Sequence, residues 1–424
     1  MSIKSIFSLK SVTDFIYMFL SNIVKKGLGF LREIILAFFF GSSIMYANYL
    51  LLKTVADFFS QFTFGNALQV NLMPKFAKIF AQSPSVDLSK VYMFSKRSVL
   101  WMFIFSQLFQ LPLIWYISPE HPLLFICLSL VLGAVVSMNF FNSIFLTILQ
   151  AKGEFKKYSY ATLINIFVST VLIYPLSLLL NIFGVVLSRF IGVLSLSLTY
   201  IKPLLLKNGE VKPTISVKDF NLSLIFLGNL ANIIILIARF IAGIDGGKEI
   251  TFFTYSVVLI NAVFTAIVVN VNTLILRIIS VSKNIKVILL SLLISLFVGS
   301  ILFVIIKNYS YQIVQFVFER GLFNSSDTLN TSIFLREISW SFVLIFVATT
   351  LFRPYFTLPE LYLNKESKKI AIPLVVIIGL VSFSLQYFGG RESSYMSIDF
   401  ISSMSILYLV AAILSFYKYY SYEK

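Results

Sequence analysis

Twelve apolar stretches, each separated from the next by charged or turn-forming residues, constrain this chain more than any other feature. They fall at 12–41, 46–71, 97–118, 122–149, 159–180, 182–201, 220–243, 250–276, 284–306, 331–352, 369–388 and 397–417. A run of about 20 apolar residues is what an α-helix needs to cross the hydrocarbon of a bilayer. Composition agrees: the 424 residues are 58% hydrophobic and only 12% charged, about half the charge of a soluble domain. A soluble chain of this size has no core able to absorb so much apolar surface. The expected fold is all-α: a polytopic membrane protein of about twelve transmembrane helices.

Charge in the connections tests the count independently. Alternate loops are basic: Lys75, Lys78, Lys90, Lys96 and Arg97, then Lys152, Lys156 and Lys157, then Lys202, Lys207, Lys212 and Lys218. Arg277, Lys283 and Lys286 continue the series, followed by Arg353, Lys365, Lys368 and Lys369. The opposite loops hold little beyond Lys248, Lys307, Arg320 and Arg391. Basic loops stay on the cytoplasmic side, so both termini are expected there. The net charge of +16 therefore reads as topology and contact with anionic membrane lipids, with no nucleic acid as partner. The N-terminus lacks a small-residue cleavage site after a short apolar core, so no removable signal peptide is expected. The polar stretch Lys202 to Asp219 divides the spans six and six. The domains expected are an N-terminal six-helix lobe, 1–203, a cytoplasmic linker, 204–219, and a C-terminal six-helix lobe, 220–424. Transporters built on that plan handle substrate where the halves meet.

Enzyme chemistry finds no foothold. One histidine and one cysteine exclude multi-His metal sites, intrachain disulfides and a Ser-His relay inside a span. No GxxxxGK[ST], HExxH or GxSxG motif occurs. No cofactor is expected, and work must come from Na+ or H+ coupling, the membrane potential or the substrate's own gradient.

Charges inside spans are costly and usually face a cavity or a partner. The first span carries Lys25, Lys26, Arg32 and Glu33, with Lys25 and Arg32 two turns apart on one face. Gly27 and Gly29 lie between them, where they bend the helix or admit a second backbone. Lys53 and Asp57 form an i,i+4 pair in the second span. Two readings compete. Either these groups line a cationic cavity that accepts an anionic headgroup, or long side chains near span ends snorkel to the interface. The substrate-binding candidates are Lys25, Lys26, Arg32 and Lys53. Glu33, Asp57, Arg239 and Asn261 are the polar or coupling candidates. Arg189, Arg239 and Arg336 lie nearer predicted ends, where snorkelling is as good a reading.

The stretch "KKGLGFLREIILAFFFGSS" resembles the N-terminal signature of the MurJ/MviN lipid II flippase family, at Lys26, Leu28, Gly29, Phe30, Arg32, Glu33, Phe40 and Gly41. "QFVFERGLFNSSDT" is similar to a second family element, at Arg320, Gly321, Phe323, Asp327 and Thr328, placed on the outer side before the tenth helix. A third likeness ends at Pro74. The resemblance implies the multidrug/oligosaccharidyl-lipid/polysaccharide exporter superfamily, with two six-helix lobes around a central cavity. It implies alternating access that carries a polyprenyl-diphosphate-linked saccharide between leaflets of a bacterial inner membrane, its diphosphate on the cavity cations. Glycan-synthesis machinery is the implied partner. Family charges are replaced at Ala47, Ser60, Gln61, Val258 and Asn261, and two further family helices have no counterpart. The cargo thus stays open between lipid II and a surface-polysaccharide repeat unit. Gly321 is expected to supply a turn and Asp327 to cap the next helix.

Overall fold

A computed structural model describes residues 9–63, 66–83, 86–118, 120–201, 211–216, 219–264, 285–388 and 392–423. Among these residues there are fourteen α-helices and no extended strand. They are α1 (Leu9–Phe40), α2 (Ile44–Thr63), α3 (Asn66–Gln82), α4 (Ser89–Ile117), α5 (Pro122–Ala151), α6 (Phe155–Leu180) and α7 (Ile182–Leu196, extended by a π turn to Ile201). The series continues with α8 (Leu222–Gly228), α9 (Leu230–Gly243), α10 (Glu249–Phe264), α11 (Ile285–Phe318), α12 (Ser325–Phe352), α13 (Glu360–Phe388) and α14 (Ser393–Glu423).

Each of the twelve expected spans meets a helix, with three differences. The stretch expected at 46–71 is met by α2 and α3, with residues 64–65 between them outside the described residues. The stretch at 220–243 is bent by 73° between α8 and α9, where Asn229 leaves helical geometry at φ −113, ψ 9. The stretch at 250–276 is described only to Phe264, and most of the linker at 204–219 also lies outside the described residues. Among the described residues eight helices are long and apolar enough to cross a bilayer, or nine if the bent pair is one span. α1 and α2, which carry the charges of the first two expected spans, are not among them. The protein presents apolar side chains outward along α4, α11 and α13, including Trp101, Phe109, Trp115, Phe297, Phe316 and Phe383. Exposed apolar surface on that scale is the mark of a lipid-facing exterior. This is a multi-pass membrane protein.

The chain packs as two compact units, Met1–Ile35 with Val55–Ile225, and Leu36–Thr54 with Phe226–Lys424. Division at the central linker would put 36–54 in the first half; packing puts it in the second. In the first unit a core of Leu72, Phe76, Val91, Phe145, Ile148 and Leu196 is sealed from solvent. The described part of the linker is fastened to it. Val86 pairs with Val211 as a parallel bridge, and Lys75 binds both the Thr214 carbonyl and Asp219, each at 2.8 Å. Asn181 turns α6 into α7 at φ 53, ψ −135, a positive-φ backbone that residues other than glycine rarely adopt. A Cβ on Gly184 would lie 2.0 Å from the Leu176 carbonyl oxygen, so α6 and α7 meet in backbone contact.

In the second unit the end of α1 is locked to the loop before α12. Gly41 has φ +50 and Gly321 φ +62, a region that a side chain strains. A Cβ on Gly41 would sit 2.3 Å from the Leu322 carbonyl oxygen, and one on Gly321 2.4 Å from that of Phe38. The Leu322 amide donates to the Phe38 carbonyl at 3.0 Å. The helix cap differs from the expected one. Asn324 is the N-cap of α12 and accepts from the Asp327 amide, while the Asp327 carboxylate accepts from the Asn324 amide in a capping box. Such a cap contributes about 1 kcal/mol. Asp327 also accepts from the Ser42 hydroxyl at 2.5 Å, and the Thr328 hydroxyl donates to Glu319 at 2.8 Å.

Candidate functional site

A cavity of about 460 Å3 lies within the first unit, lined by α1, α2, α5, α6 and α7. From α1 come Asn22, Lys25, Lys26, Gly29 and Arg32, positions three, four and seven apart that share one helical face. From α6 come Tyr158, Thr162, Asn165 and Ser169, a polar stripe with the same spacing in an otherwise apolar span. α2 adds Ala56, Asp57 and Ser60, and α7 adds Arg189. The share of α5 is apolar apart from Asn139. Four cations and one carboxylate therefore face this space. Such a balance attracts anions and repels cations.

The α1 cations differ in their ties. The Lys25 ammonium donates to Thr162 at 3.0 Å and lies 5.8 Å from the centre of the Tyr158 ring. Arg32 pairs with its neighbour Glu33 at 2.9 Å, with the rest of its planar fork of N–H donors still available. Lys26 is exposed and makes no hydrogen bond or ion pair with the described residues. Only Lys26 offers a cavity ammonium without such a tie to α6 or to a carboxylate of its own helix.

The other sequence candidates scatter. Glu33 is buried and serves Arg32 without lining the cavity. Lys53 is half-buried on α2 and lies off the lining. Arg239 and Asn261 belong to the second unit. The guanidinium of Arg239 does not snorkel: the residue is 9% exposed, in the midst of a helix. Arg189, read from sequence as a span-end residue, lines the cavity. Gly27 and Gly29 neither kink α1 nor admit a second backbone. The helix runs unbroken from Leu9 to Phe40, and a Cβ at either glycine meets nothing within 4 Å. At Gly29, on the lining, the missing side chain keeps space open. Tyr158 and Thr162 were not singled out from sequence, although the polar periodicity of α6 marks them.

No family model matches the chain, and no curated protein matches it. Solved structures do. The lipid II flippase MurJ in its inward closed conformation aligns with a TM-score of 0.71, covering 96% of this chain and 90% of its own at 19% identity. The fold is the MurJ fold. A MATE structure in complex with MaL6 aligns at TM-score 0.62 and 15% identity, covering 96% of this chain and 95% of its own. The outward-facing conformation of a multidrug resistance MATE family transporter of the MOP superfamily gives 0.61 at 13% identity, covering 96% and 94%. The divergent MurJ-like architecture implied by the two sequence motifs is thus the architecture found. At these identities the likeness fixes the fold.

Proposed function

We propose that the protein is a flippase for a polyprenyl-diphosphate-linked saccharide. It would carry this lipid from the inner to the outer leaflet of a bacterial inner membrane by alternating access, with both termini in the cytoplasm. The cargo is lipid II or a surface-polysaccharide repeat unit, delivered to glycan-synthesis machinery for cell-wall or polysaccharide assembly. The observation that supports this reading is the cationic face of α1 at a cavity inside a MurJ-like fold. Its excess of cations matches a diphosphate, and its amides and hydroxyls from Asn22, Asn139, Thr162 and Asn165 match the hydroxyls of a sugar. Each hydrogen bond to a charged group is worth roughly 1.5–3 kcal/mol. Coupling would draw on Na+, H+ or the membrane potential, which moves charge at roughly 2.3 kcal/mol per 100 mV.

A cation-coupled multidrug-type exporter on the same fold is the second reading, favoured by Asp57 on the lining and by the MATE likenesses. Electrostatics weighs against it, because an organic cation would meet four like charges and one carboxylate. One experiment separates the two. In a bacterium depleted of its own flippase, the wild-type gene should restore growth or surface glycan, and Lys26→Ala and Arg32→Ala should not. Overexpression should leave resistance to cationic drugs unchanged. Full complementation by both variants, or a broad rise in drug resistance, would overturn the flippase reading.

A further inference from the structure

One face of α13 passes directly from charge to apolar surface. Lys365, Lys369, Ile372, Val376, Phe383 and Tyr387 follow one another at helical steps, which places them on a single stripe. All six are exposed, and so is Lys368 beside them. Among the spanning helices of the described residues α13 is the least covered by protein: 17% of its most apolar stretch is buried, against 61% in α12. Lipid therefore meets this stripe along its length.

The cations at its head outnumber their partners. Glu366 is buried and takes both Lys369, at 2.6 Å, and Lys418 of α14. Lys365 and Lys368 make no hydrogen bond or ion pair with the described residues. Four ammoniums thus share one carboxylate at the end of a span, the depth at which anionic headgroups attract lysine. Pro373, one turn further on, has no amide to give the Lys369 carbonyl, so a hydrogen-bond acceptor is left at the same level. Deeper on the same face Gly379 is exposed, and a Cβ there would meet nothing within 4 Å. It leaves a notch between Val376 and Phe383. The notch lies about 16 Å along the helix from Lys368, close to the hydrocarbon depth of one leaflet.

We propose that this stripe is a binding site for one anionic phospholipid. The phosphate sits on Lys365 and Lys368, a headgroup hydroxyl donates to the Lys369 carbonyl, and an acyl chain runs along Ile372 and Val376 to the notch at Gly379. The site belongs to the second unit and does not depend on the flippase reading. α4 supplies the contrast. There Lys96 and Arg97 also lead an exposed apolar face, but the helix has no glycine, and its proline, Pro112, stands far from them. A general collar of basic residues would hold lipid equally at both helices; a built site holds it at α13.

The test uses the full-length protein, stripped of lipid in detergent and titrated with phosphatidylglycerol or with phosphatidylcholine of the same chains. Bound lipid is counted by native mass spectrometry. The wild type should hold phosphatidylglycerol roughly twentyfold more tightly, the share of two lysines at a charged headgroup. The double variant Lys365→Gln, Lys368→Gln should lose that preference, and Lys96→Gln, Arg97→Gln should keep it. Gly379→Leu, which has room for its side chain, should weaken both lipids several-fold by filling the notch. Glycerol phosphate, charged but without tails, should not displace the bound lipid. Equal retention of the two lipids by the wild type would overturn the proposal, as would equal losses in the two double variants. So would unaltered binding in Gly379→Leu, or displacement by glycerol phosphate, which would make this a site for free phosphate.

Discussion

Lys25 and Lys26 are neighbours in sequence with different surroundings: one is held by Thr162 and a tyrosine ring, the other is exposed. That Lys25 belongs with Arg32 on one face was legible from spacing alone, because helical periodicity sets it. Which of them is tied was not legible, since the partners come from α6, more than a hundred residues away. Arg189 escaped for a related reason. A cation two turns into a predicted span looks like a span-end residue until the neighbouring helices are in place. The glycines show the same limit. Gly29 and Gly41 belong to one sequence motif, yet one faces open space and the other a carbonyl at 2.3 Å. Gly29→Ala should therefore fold at least as well as wild type, gaining roughly 0.5–1 kcal/mol of helix propensity. Gly41→Ala should lower the thermal midpoint and the yield of folded protein. Equal melting of the two variants in detergent would contradict the structure.

At the scale of elements, the charged run Phe316–Thr328 is explained by packing. Its glycine, amide and carboxylate fasten the start of α12 to the end of α1, a task that apolar residues cannot perform. The polar segment 211–219 makes comparable ties in the first unit. Hydrogen bonds from the Ser89 amide and hydroxyl, helped by Lys212, hold the half-buried Asp87 carboxyl below the usual carboxylate range. Burial acts to raise the Asp219 carboxyl, but Lys75 and Ser216 outweigh it and leave it lowered as well. A carboxyl depressed in the folded state adds stability that is complete above its unfolded pKa, about 4, and is lost as pH falls through the folded value. Amide exchange across Val211–Ser216, corrected for its intrinsic rate, should accordingly show constant protection from pH 7 to 5 and losses only below about 4. Loss of protection on raising the pH would show that other groups hold the segment.

For the whole molecule, the all-α class and the order of the apolar helices could be read from hydropathy, because the bilayer imposes long apolar runs. The exchange of Leu36–Thr54 into the second unit could not. It depends on tertiary contacts around Gly41, Tyr46 and Tyr255, whose rings stack at 6.2 Å, and hydropathy carries no trace of them. One mechanical consequence follows from that exchange. α1 is a single rod of 32 residues, about 48 Å long, whose cation-bearing stretch belongs to one unit and whose last turn is bolted to the other. Removing the bolt's hydroxyl with Ser42→Ala should slow cargo movement in proteoliposomes while leaving pyrophosphate affinity unchanged; a variant impaired in affinity would place the defect at the grip. Lys26 and the close approach of Gly41 to Leu322 are thus joined along the chain by one continuous helix.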